Sequence, residues 1–573
     1  KTAYRLNNIY SFNEQRVSCD ILDMKFNSQA AYGFVKGGYA SNTNNFHDEH
    51  IELQAIYNKT IRDFSIGATA GLDIHSRNVH NNGANTSDGF NTPNLYTLAN
   101  SKGTINSFDT RQKIKDNGLF LATNFGWRRI LNADITIRQD WSSTLPPADN
   151  SVFSKSFGLS FVFSDLLKTQ APWLSLGKIR GSWGEVPQVI NPYQYPGSLY
   201  TQGAVQWAGN FQQFTSANQV DPIIAGAVAT EKNAGADFSF FKNRVGFSVT
   251  YTQRTNKNFP TSIIYSPSTG QNSLLTNAGE IDFKGMDYTF NVKPLWGKSF
   301  KWEVNATFAT TQSNEIIDID GQPQSVWRDA GTAAPFVNIE SGPFGPLLRA
   351  TEGQQWGQIF GKGIKRDAAG NALLNSNGTY VYDLNTYFGS VLPDYTGGIQ
   401  NTFTLFTDFT VNVNIDFQKG GIFYSTSDKW GKHTGVLAKT AVLNDRGIPV
   451  RDPIANGGGI HIFGVDATTL KPVDYYLNIR DYYNGGTNTI DNDIYDLTYV
   501  KLREVSLGYN IPVGKIGLGK WLKKANFSVI ASNPWLIYAK TNDFDPSEIS
   551  NQIGEGGQFP GLRGFGVNLK LSF

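Results

Sequence analysis

Hydrophobic and polar residues alternate one by one along many segments of this chain of 573 residues. In 409–418, Phe, Val, Val, Ile and Phe occupy the odd positions, while Thr, Asn, Asn, Asp and Gln occupy the even ones. The segment 565–573 alternates in the same way and ends on Phe573. Because successive side chains of a β-strand point to opposite faces, each such segment would carry one apolar and one polar face. The pattern predicts an all-β fold.

Sixteen segments are predicted as strands on this basis. They are 26–35, 51–58, 62–74, 118–126, 131–140, 154–163, 177–183, 232–240, 244–253, 281–293, 300–311, 398–406, 409–418, 499–510, 525–533 and 563–573. Short connections follow some strands, at 59–62, 127–130, 241–243, 294–299 and 407–408. Long connections follow most of the others, at 75–117, 184–231, 254–280, 312–397, 419–498 and 538–562.

Alternating short and long connections would place the long ones at one edge of an antiparallel sheet. This asymmetry is typical of an outer-membrane barrel, which has tight periplasmic turns and long extracellular loops. A propeller or a sandwich gives no reason for it. We therefore predict a transmembrane antiparallel β-barrel in the outer membrane of a Gram-negative cell. Its lumen would be lined by Asn412, Asn414, Asp416 and Gln418, and the apolar residues of 409–417 would face lipid.

Composition agrees with this class. Charged residues make up only 17% of the chain and aromatic residues 13%, and the formal charge of +2 gives no reason to expect nucleic acid binding. Cys19 is the only cysteine, which excludes a disulfide framework and every multi-cysteine metal or iron–sulfur site. No stretch approaches the roughly 18–20 apolar residues of a transmembrane helix.

Six tryptophans near predicted strand ends suit the aromatic girdles of a membrane barrel. The alternative is that they are core residues of a soluble β-protein. They are Trp127, Trp173, Trp183, Trp302, Trp521 and Trp535.

Six motifs, in order along the chain, resemble those of one family, the SusC/RagA-type TonB-dependent outer-membrane transporters. A single motif of this kind is weak, but six in the family's order are specific, and they cover most of the chain from about residue 118 onward. The matching segments are Leu176–Gly184 (LGKIRGSWG), Glu231–Val245 with its FSFFKNRV hairpin, Asn277–Asp287 (NAGEIDFKGMD), Leu392–Gly398 (LPDYTGG), Tyr499–Tyr509 (YVKLREVSLGY) and Ser532–Glu548, which contains SNPWL and DFDPSE.

The resemblance implies a barrel of 22 strands whose lumen is filled by an N-terminal plug. It also implies an importer of bulky nutrients, such as oligosaccharides or oligopeptides. A SusD-like surface lipoprotein would cover the barrel, TonB would supply energy through the N-terminal part, and barrel–lid pairs can form dimers. The sequence departs from this pattern, since it contains no plug-like segment or TonB box and only 16 predicted strands. We therefore expect 1–573 to be a partial barrel, with the plug and first strands preceding Lys1 or supplied by another chain.

The last predicted strand resembles the C-terminal assembly signal of outer-membrane proteins. The alternative is an ordinary last strand that happens to end on a hydrophobic residue. The residues of the predicted signal are Phe565, Val567, Leu569, Leu571 and Phe573.

Ligand-type residues cluster at His47–His50 (HDEH), with His75 and His80 close behind. A zinc site needs about four ligands in fixed geometry. We expect instead a solvated loop between 26–35 and 51–58, and no metal site or cofactor.

Other motifs have ordinary explanations. His433 and His461 lack the surroundings of a nucleophile, Gly514–Gly519 suits a periplasmic turn better than a phosphate loop, and Asp367–Asn371 suits a hairpin turn better than a calcium loop. Five aromatic residues in the long connections could stack on sugar rings or peptide side chains, or pack the loops against each other. They are Tyr193, Tyr195, Trp207, Trp327 and Trp356. The sequence identifies no substrate-binding or catalytic residue, and we expect no enzyme.

Three other functions remain open at this point. A passive porin would close on its own strands without plug or lid. An outer-membrane barrel enzyme would depend on a single His or Ser, and carboxylate pairs for glycoside hydrolysis cannot be read from strand spacing. A soluble adhesin or lectin would need no detergent.

Overall fold

A computed structural model gives the structure of the chain. It describes residues 2–17, 38–195, 200–207, 210–216, 218–258, 260–264, 273–277, 279–318, 327–328, 335–342, 345–484, 489–517, 519–541, 544–549, 552–557 and 560–573.

Sixteen strands form the largest sheet of the described residues, and their order in the sheet follows their order along the chain. They are β1 (Thr2–Val17), β2 (Gly38–Ile61), β3 (Phe64–Asn85), β4 (Asn106–Trp127), β5 (Leu131–Ser142), β6 (Ser151–Val162), β7 (Leu174–Gln188), β11 (Ala227–Phe240), β12 (Val245–Lys257), β15 (Glu280–Trp296), β16 (Phe300–Asp318), β23 (Tyr395–Leu405), β24 (Phe409–Lys419), β29 (Tyr499–Ile511), β30 (Lys524–Ala539) and β32 (Gly564–Ser572).

The remaining strands and the helices lie in the connections. The strands are β8 (Tyr200–Trp207), β9 (Asn210–Thr215), β10 (Asn218–Val220), β13 (Pro260–Ile264), β14 (Ser273–Asn277), β17 (Trp327–Arg328), β18 (Pro335–Ser341), β19 (Leu347–Thr351), β20 (Gln358–Ile364), β21 (Leu373–Leu374), β22 (Tyr382–Ser390), β25 (Ile422–Ser425), β26 (Ile460–Asp466), β27 (Pro472–Leu477), β28 (Ile494–Asp496) and β31 (Gly554–Glu555). The α-helices are α1 (Thr426–Thr434) and α2 (Ile479–Asn484). Among the described helices, none has the length and apolar character needed to cross a membrane.

The predicted strands agree well with the large sheet. Fifteen of the sixteen each fall on one of its strands, and the sixteenth, 26–35, lies outside the described residues. The sequence pattern missed β1, and it stopped short in β2, β3 and β4, which run for 24, 22 and 22 residues. A membrane-spanning strand needs only about 9–11 residues. Beyond that length both faces can meet water, so the alternation fades although the hydrogen-bonded ladder continues.

Connection lengths differ between the two edges of the sheet. Short joins are 62–63, 128–130, 163–173, 241–244, 297–299, 406–408 and 512–523. The joins of the other series are 86–105, 143–150, 189–226, 258–279, 319–394, 420–498 and 540–563, and all of them except 143–150 are longer than every join of the first series. Since consecutive strands neighbour each other in the sheet, the joins of one series share an edge. The asymmetry expected from the sequence is present.

The chain divides into two compact units, which are treated separately below. Unit 1 comprises Lys1–Leu159, Ser182–Thr230 and Lys257–Ala278. Unit 2 comprises Ser160–Gly181, Glu231–Asn256 and Gly279–Phe573.

Candidate functional site

A polar face runs along β23, β24 and β29 in unit 2. Asn412, in the middle of β24, accepts a hydrogen bond from the Thr402 hydroxyl at 2.9 Å and donates one to Ser506 at 3.2 Å. Further along β24, Asp416 pairs with Arg503 at 2.8 Å and accepts the Tyr499 hydroxyl at 3.1 Å. Asn412 and Asp416 belong to the even positions assigned to one face from the sequence, and they do share a face here.

The odd positions of the same strands carry aromatic and aliphatic side chains. The rings of Phe409 and Tyr509, which are directly opposite in the ladder, stack with centroids 4.6 Å apart. Leu507 on β29 is 49% exposed and Phe527 on β30 is 41% exposed. A broad exposed apolar surface is a feature of proteins that contact a membrane or another protein. This face has the chemistry of a lipid-contacting surface.

A second polar group lies on β7, β11 and β12. Asp237 accepts hydrogen bonds from Ser248 at 2.6 Å and Arg180 at 3.3 Å. Arg180 also donates to Thr250 at 2.6 Å, which links the neighbouring strands. The strand that carries Arg180 is the one whose sequence gave the first family motif. Its polar positions are therefore occupied by a hydrogen-bonded charged network, as expected for a face that meets water.

Unit 1 has its own polar hollow of about 440 Å³ on β2, β3, β4 and β5. His50 contacts Asp73, and His75 contacts Asp48 at 3.1 Å and Asp116 at 3.5 Å. The expectation of a solvated loop at 47–50 is wrong, because these residues lie inside β2. The strand continues past the alternating segment and places the histidines beside carboxylates of the next strands. Among the described residues, no group of His, Cys, Asp and Glu side chains is arranged to hold a metal ion.

The long joins of unit 2 fold into a body with its own hydrophobic core, here called the long-join core. Its members come from distant parts of the chain and none is more than 2% exposed. Trp356, Phe388 and Ile422 pack against it from outside. The core residues are Leu348, Ile359, Tyr424, Ile490 and Ile553. The joins between β16 and β23, between β24 and β29, and between β30 and β32 thus share one packed interior.

Charged residues buried beside α1 form a cluster of ion pairs within the join 420–498, here called the ion cluster. The Asp428 carboxylate forms ion pairs with the ammonium groups of Lys432 at 2.8 Å and Lys439 at 2.6 Å, and it accepts a hydrogen bond from the Tyr495 hydroxyl at 2.5 Å. Asp493, from a segment 65 positions further along the chain, receives Lys432 and Lys429, the latter at 3.1 Å. The side chains of Asp428, Asp493, Lys432 and Lys429 are exposed by no more than 6%.

The electrostatics of the ion cluster follow from burial and pairing. Burial opposes ionisation of Asp428, but hydrogen bonds from Lys432, Lys439 and Tyr495 outweigh it and hold the pKa of this carboxyl below its ordinary value. Burial lowers the pKa of Lys429, although the Asp493 charge opposes the shift. Burial and pairing thus act in opposite directions on the same groups, which makes the cluster sensitive to loss of one partner.

The N-terminus of α1 is fixed by two side chains. The Ser425 hydroxyl accepts the backbone N–H of Asp428 at 3.0 Å, which is an ordinary N-cap. Glu555, from the last long join, accepts the Ser425 hydroxyl at 2.6 Å and the Ser427 backbone N–H at 3.0 Å. A carboxylate is favoured at this end of a helix dipole.

The last long join is also tied to the polar face of the sheet. Lys501 of β29 is 3% exposed, and its ammonium contacts Asp545 at 2.7 Å and Glu548 at 2.8 Å. Arg503 contacts Glu548 at 3.3 Å. Burial opposes ionisation of Asp545, but the Lys501 ammonium and hydrogen bonds from Ser547 together outweigh it and lower the pKa of this carboxyl. Two of the family motifs, at 499–509 and 532–548, are separate in the sequence, and these contacts bring them together in space.

The predicted assembly signal forms most of β32, the last strand of the sheet. Its apolar residues are exposed by 80% at Phe565, 74% at Val567 and 58% at Leu569. Asn568 and Lys570 are on the opposite face and lie across from Ser528 and Asn526 of β30. The structure thus presents Phe565, Val567 and Leu569, with Leu571, on one apolar face of β32, and Phe573 follows directly after the strand.

The loop aromatics divide between packing and exposure. Tyr195 packs on a second hydrophobic cluster, in unit 1, and Trp356 packs on the long-join core. Tyr193 is 64% exposed, and its hydroxyl accepts the backbone N–H of Lys113 at 3.0 Å. Trp207 lies in β8 and Trp327 in β17, and the structure describes only their backbone.

The predicted girdle tryptophans occupy varied surroundings. Trp173 stacks on Phe240 at 5.9 Å, and Trp302 stacks on Phe403 at 5.8 Å. Arg128 lies over the ring of Trp127. Trp521 and Trp535 are 78% and 58% exposed. The Lys155 ammonium lies over the ring of Trp183, 5.5 Å from the ring centroid.

Two short motifs have the local structure that was expected of them. The Asp367 carboxylate accepts backbone N–H groups of Ala369 and Asn371, and Gly370 has φ +88°, which is a tight turn. The described part of Gly514–Gly519 lies in the join between β29 and β30.

The ion cluster and the long-join core were missed at the sequence level. The caps of α1, Ser425 before it and Gly435 after it, and the four-residue spacing of Asp428 and Lys432 were readable signals for the helix. The contact of Lys432 with Asp493 could not be predicted, because no local sequence pattern links residues that far apart in the chain.

One polar face, one exposed apolar face and joins of unequal length define an outer-membrane β-barrel. The family model described as "TonB dependent receptor-like, beta-barrel" matches residues 2–419. The chain belongs to this family.

Relatives and solved structures agree with this assignment. A TonB-dependent receptor of Formosa agariphila is 22% identical over 581 residues, which cover 94% of this chain and 54% of that protein. The TonB-dependent receptor SusC of Bacteroides thetaiotaomicron is 24% identical over 361 residues, covering 60% of this chain and 32% of that protein. A solved structure of the RagAB peptide transporter has a similar fold, with a TM-score of 0.72 at 14% identity, over all of this chain and 59% of that one. The chain spans about half the length of the curated relatives it matches.

Proposed function

We propose that the protein carrying this chain imports a bulky nutrient, an oligosaccharide or an oligopeptide, across the outer membrane in a TonB-dependent manner. The observation that carries the proposal is the match of residues 2–419 to the TonB-dependent receptor family. The chain supplies barrel strands, and no bond is made or broken in the substrate. A relative in structure is a peptide transporter, which favours the oligopeptide class as the first to test.

The local structure supports this role in two ways. Hydrogen-bonded polar side chains such as Asn412 and Asp416 give a hydrated face along which a polar solute can pass. The long joins form a packed body rather than separate flexible loops, and a firm body can present a surface to a substrate or to a lid protein. We include a SusD-like surface lipoprotein as the partner in this proposal, and TonB as the source of energy.

The experiment is uptake by the native host. The gene for the full protein is deleted, and uptake of labelled oligopeptides and oligosaccharides is measured before and after complementation. We expect uptake of one class to fall to background in the deletion strain, and also in a strain without TonB. Uptake that persists without TonB would indicate a porin. Hydrolysis of the label outside the cell that depends on this gene would indicate an enzyme.

The partner is tested in the complemented strain. The full protein is extracted in mild detergent, and the intact masses of the native particle are measured. We expect a lipoprotein to accompany the barrel at a fixed ratio. A barrel that runs alone, in a strain that still imports the nutrient, would contradict the lid.

A further inference from the structure

The short joins of unit 2 lie along one edge of the sheet and form what is here called the short-join edge, comprising 163–173, 241–244, 297–299, 406–408 and 512–523. Backbone hydrogen bonds connect each to a neighbouring join or strand. Phe241 N donates to Trp173 O at 2.8 Å, and Phe406 N donates to Ser299 O at 2.8 Å. Asn510, at the end of β29, donates to Asp408 O at 2.7 Å. The five joins therefore follow one another along one rim, and each is bonded to a neighbouring join or strand.

This rim is strongly basic. It contains seven Lys and Arg against two Asp, a net formal charge of +5. The seven are Lys168, Lys242, Arg244, Lys298, Lys515, Lys520 and Lys523, and all of them are exposed. Lys168 pairs with Asp165 at 3.1 Å, and within the described ranges the other six have no carboxylate within ion-pair distance. Six cations therefore face solvent at one edge.

The charge is specific to this edge. The long joins of unit 2, which are 319–394, 420–498 and 540–563, contain 14 Lys and Arg against 20 Asp and Glu, a net charge of −6. The whole chain has a net charge of only +2. A generally basic protein would not separate its charges in this way, so the asymmetry calls for a partner at the short-join edge.

Aromatic side chains accompany the basic ones. Lys293 and Lys301 lie over the ring of Trp296 at 5.1 and 5.0 Å, directly beside the join 297–299. Trp173 is 53% exposed and Trp521 is 78% exposed, and both belong to joins of this edge. Exposed tryptophan beside lysine is the composition of a membrane–water interface, where the ring sits at headgroup level. The exposed apolar face of the strands begins immediately next to these residues.

We propose that the short-join edge binds the headgroups of anionic phospholipids in the adjoining leaflet of the outer membrane. Short turns of outer-membrane barrels lie on the periplasmic side, where the leaflet consists of phospholipids. An anionic surface attracts each nearby Lys or Arg by about 1 kcal/mol, which corresponds to roughly fivefold in affinity. The lysines give the attraction, and the tryptophans fix the depth at which the lysines meet phosphate.

A hollow on the polar side of the same edge offers the main rival site. It has a volume of about 680 Å³ and is lined by four lysines, with no carboxylate among the lining residues. The four are Lys515, Lys523, Lys524 and Lys570. Lys524 and Lys570 are on the polar side of β30 and β32, whereas Lys242, Lys298 and Lys520 are on the joins themselves. Variants can therefore separate a free anion in the hollow from a lipid at the rim.

The test measures the lipid that the full protein retains. Purified protein is reconstituted into vesicles of phosphatidylethanolamine and phosphatidylglycerol at a 3:1 ratio, extracted in mild detergent, and analysed by native mass spectrometry. Wild type is expected to retain phosphatidylglycerol in preference to phosphatidylethanolamine. The triple variant Lys242→Gln, Lys298→Gln, Lys520→Gln is expected to lose this preference by at least about fivefold. The matched control, Lys365→Gln, Lys471→Gln, Arg480→Gln, removes three exposed charges from the long joins and should behave as wild type.

Each other outcome contradicts the proposal. Equal retention by wild type and the rim variant would show that the rim does not select lipid, and an equal loss in the long-join control would show only a net-charge effect. Loss in Lys524→Gln, Lys570→Gln but not in the rim variant would move the site to the hollow. Displacement of the lipid by inorganic phosphate at millimolar concentration would indicate a free-anion site. The proposal depends on membrane location and not on transport, so it can fail while the proposed function stands.

Discussion

The two edges of the sheet in unit 2 are built on different principles. At the short-join edge, a turn such as 406–408 needs no interior of its own, because the strands on both sides fix its position, and its backbone bonds directly to the neighbouring join. At the opposite edge, the joins are up to 79 residues long and carry a hydrophobic core and the ion cluster. Long joins must supply their own stability, since the entropy of ordering them is not offset by the ladder.

The comparison also explains the charge. Most side chains of the short-join edge do not have to fill a core, so basic and aromatic residues there can contact the membrane. Some charged residues of the long joins instead form buried ion pairs, as Asp428, Lys432 and Asp493 show. The acidic excess of that edge therefore includes carboxylates that never meet solvent. Four predictions test this difference, beginning with the largest effect.

Breaking the ion cluster should destabilise the long-join edge most. Asp428→Ala leaves the buried Lys432 with one carboxylate fewer and removes the acceptor of Tyr495, which should cost about 3–5 kcal/mol in the stability of this body. Hydrogen exchange of 420–498 in the full protein is the measurement, with faster exchange expected there and unchanged exchange in β24. Lys471→Ala, an exposed residue of the same join, serves as the control. Protection equal to wild type in Asp428→Ala would mean that the cluster contributes no stability.

The sheet between the two edges is tested at its centre. Val413 is at an odd position of β24, opposite Val505, and Val413→Arg should cost about 2–4 kcal/mol if that position faces lipid near mid-depth. The measurement is denaturant unfolding of the full protein in lipid. Asn412→Arg, one residue away on the polar face, should cost much less. A neutral Val413→Arg together with a disruptive Asn412→Leu would reverse the two faces.

Assembly should depend on the last strand independently of both edges. We propose that the apolar residues of β32, together with Phe573 directly after it, are the assembly signal, so Phe573→Ala should lower the amount of folded protein in the outer membrane severalfold, an effect of about 1 kcal/mol in apparent terms. Asn568→Ala, on the polar face of the same strand, is the control. The readout is heat-modifiable mobility of the outer-membrane fraction. Equal amounts of folded protein in the two variants would rule out a role for this face.

The contrast between the regular strands and the irregular long joins also explains which features could be predicted from the sequence. Strand β24 was predicted within one residue at its C-terminal end, because lipid on one face and water on the other impose strict alternation. The histidines of 47–50 were misplaced in a loop, because β2 continues where alternation stops. The resemblance supplied the family, and the family model confirms it.

The long joins were beyond such reasoning. Their interior depends on the ion pair of Lys432 with Asp493 and on the shared core of Leu348 and Ile553, residues that are far apart in the chain and carry no periodic signal. Short local features of these joins do carry a sequence signal. The turn at Asp367 was predicted, and the caps of α1 are signals from which the helix could have been predicted. Local chemistry predicts local structure, but the core of an irregular body requires long-range contacts.

The smallest effect concerns pH, and it should appear at only one edge. The pKa of Asp428 in the folded protein lies below its ordinary value of 3.8, so its contribution to stability is fully present above that value and is lost as the pH falls through the lowered one. Between pH 6 and pH 3 the long-join body should therefore lose stability, by less than in Asp428→Ala. Hydrogen exchange of 420–498 in the full protein, corrected for the intrinsic change of the exchange rate with pH, is the measurement.

The matched variant is Asp428→Asn, which has no charge to lose at this position and should show a smaller dependence on pH over the same range. The short-join edge supplies the second comparison, because Lys and Arg keep their charge throughout this range and its retention of anionic lipid should change only as far as the lipid itself titrates. A pH dependence equal in wild type and Asp428→Asn would assign the effect to other carboxyls, Asp545 at the tether to Lys501 being the next to examine.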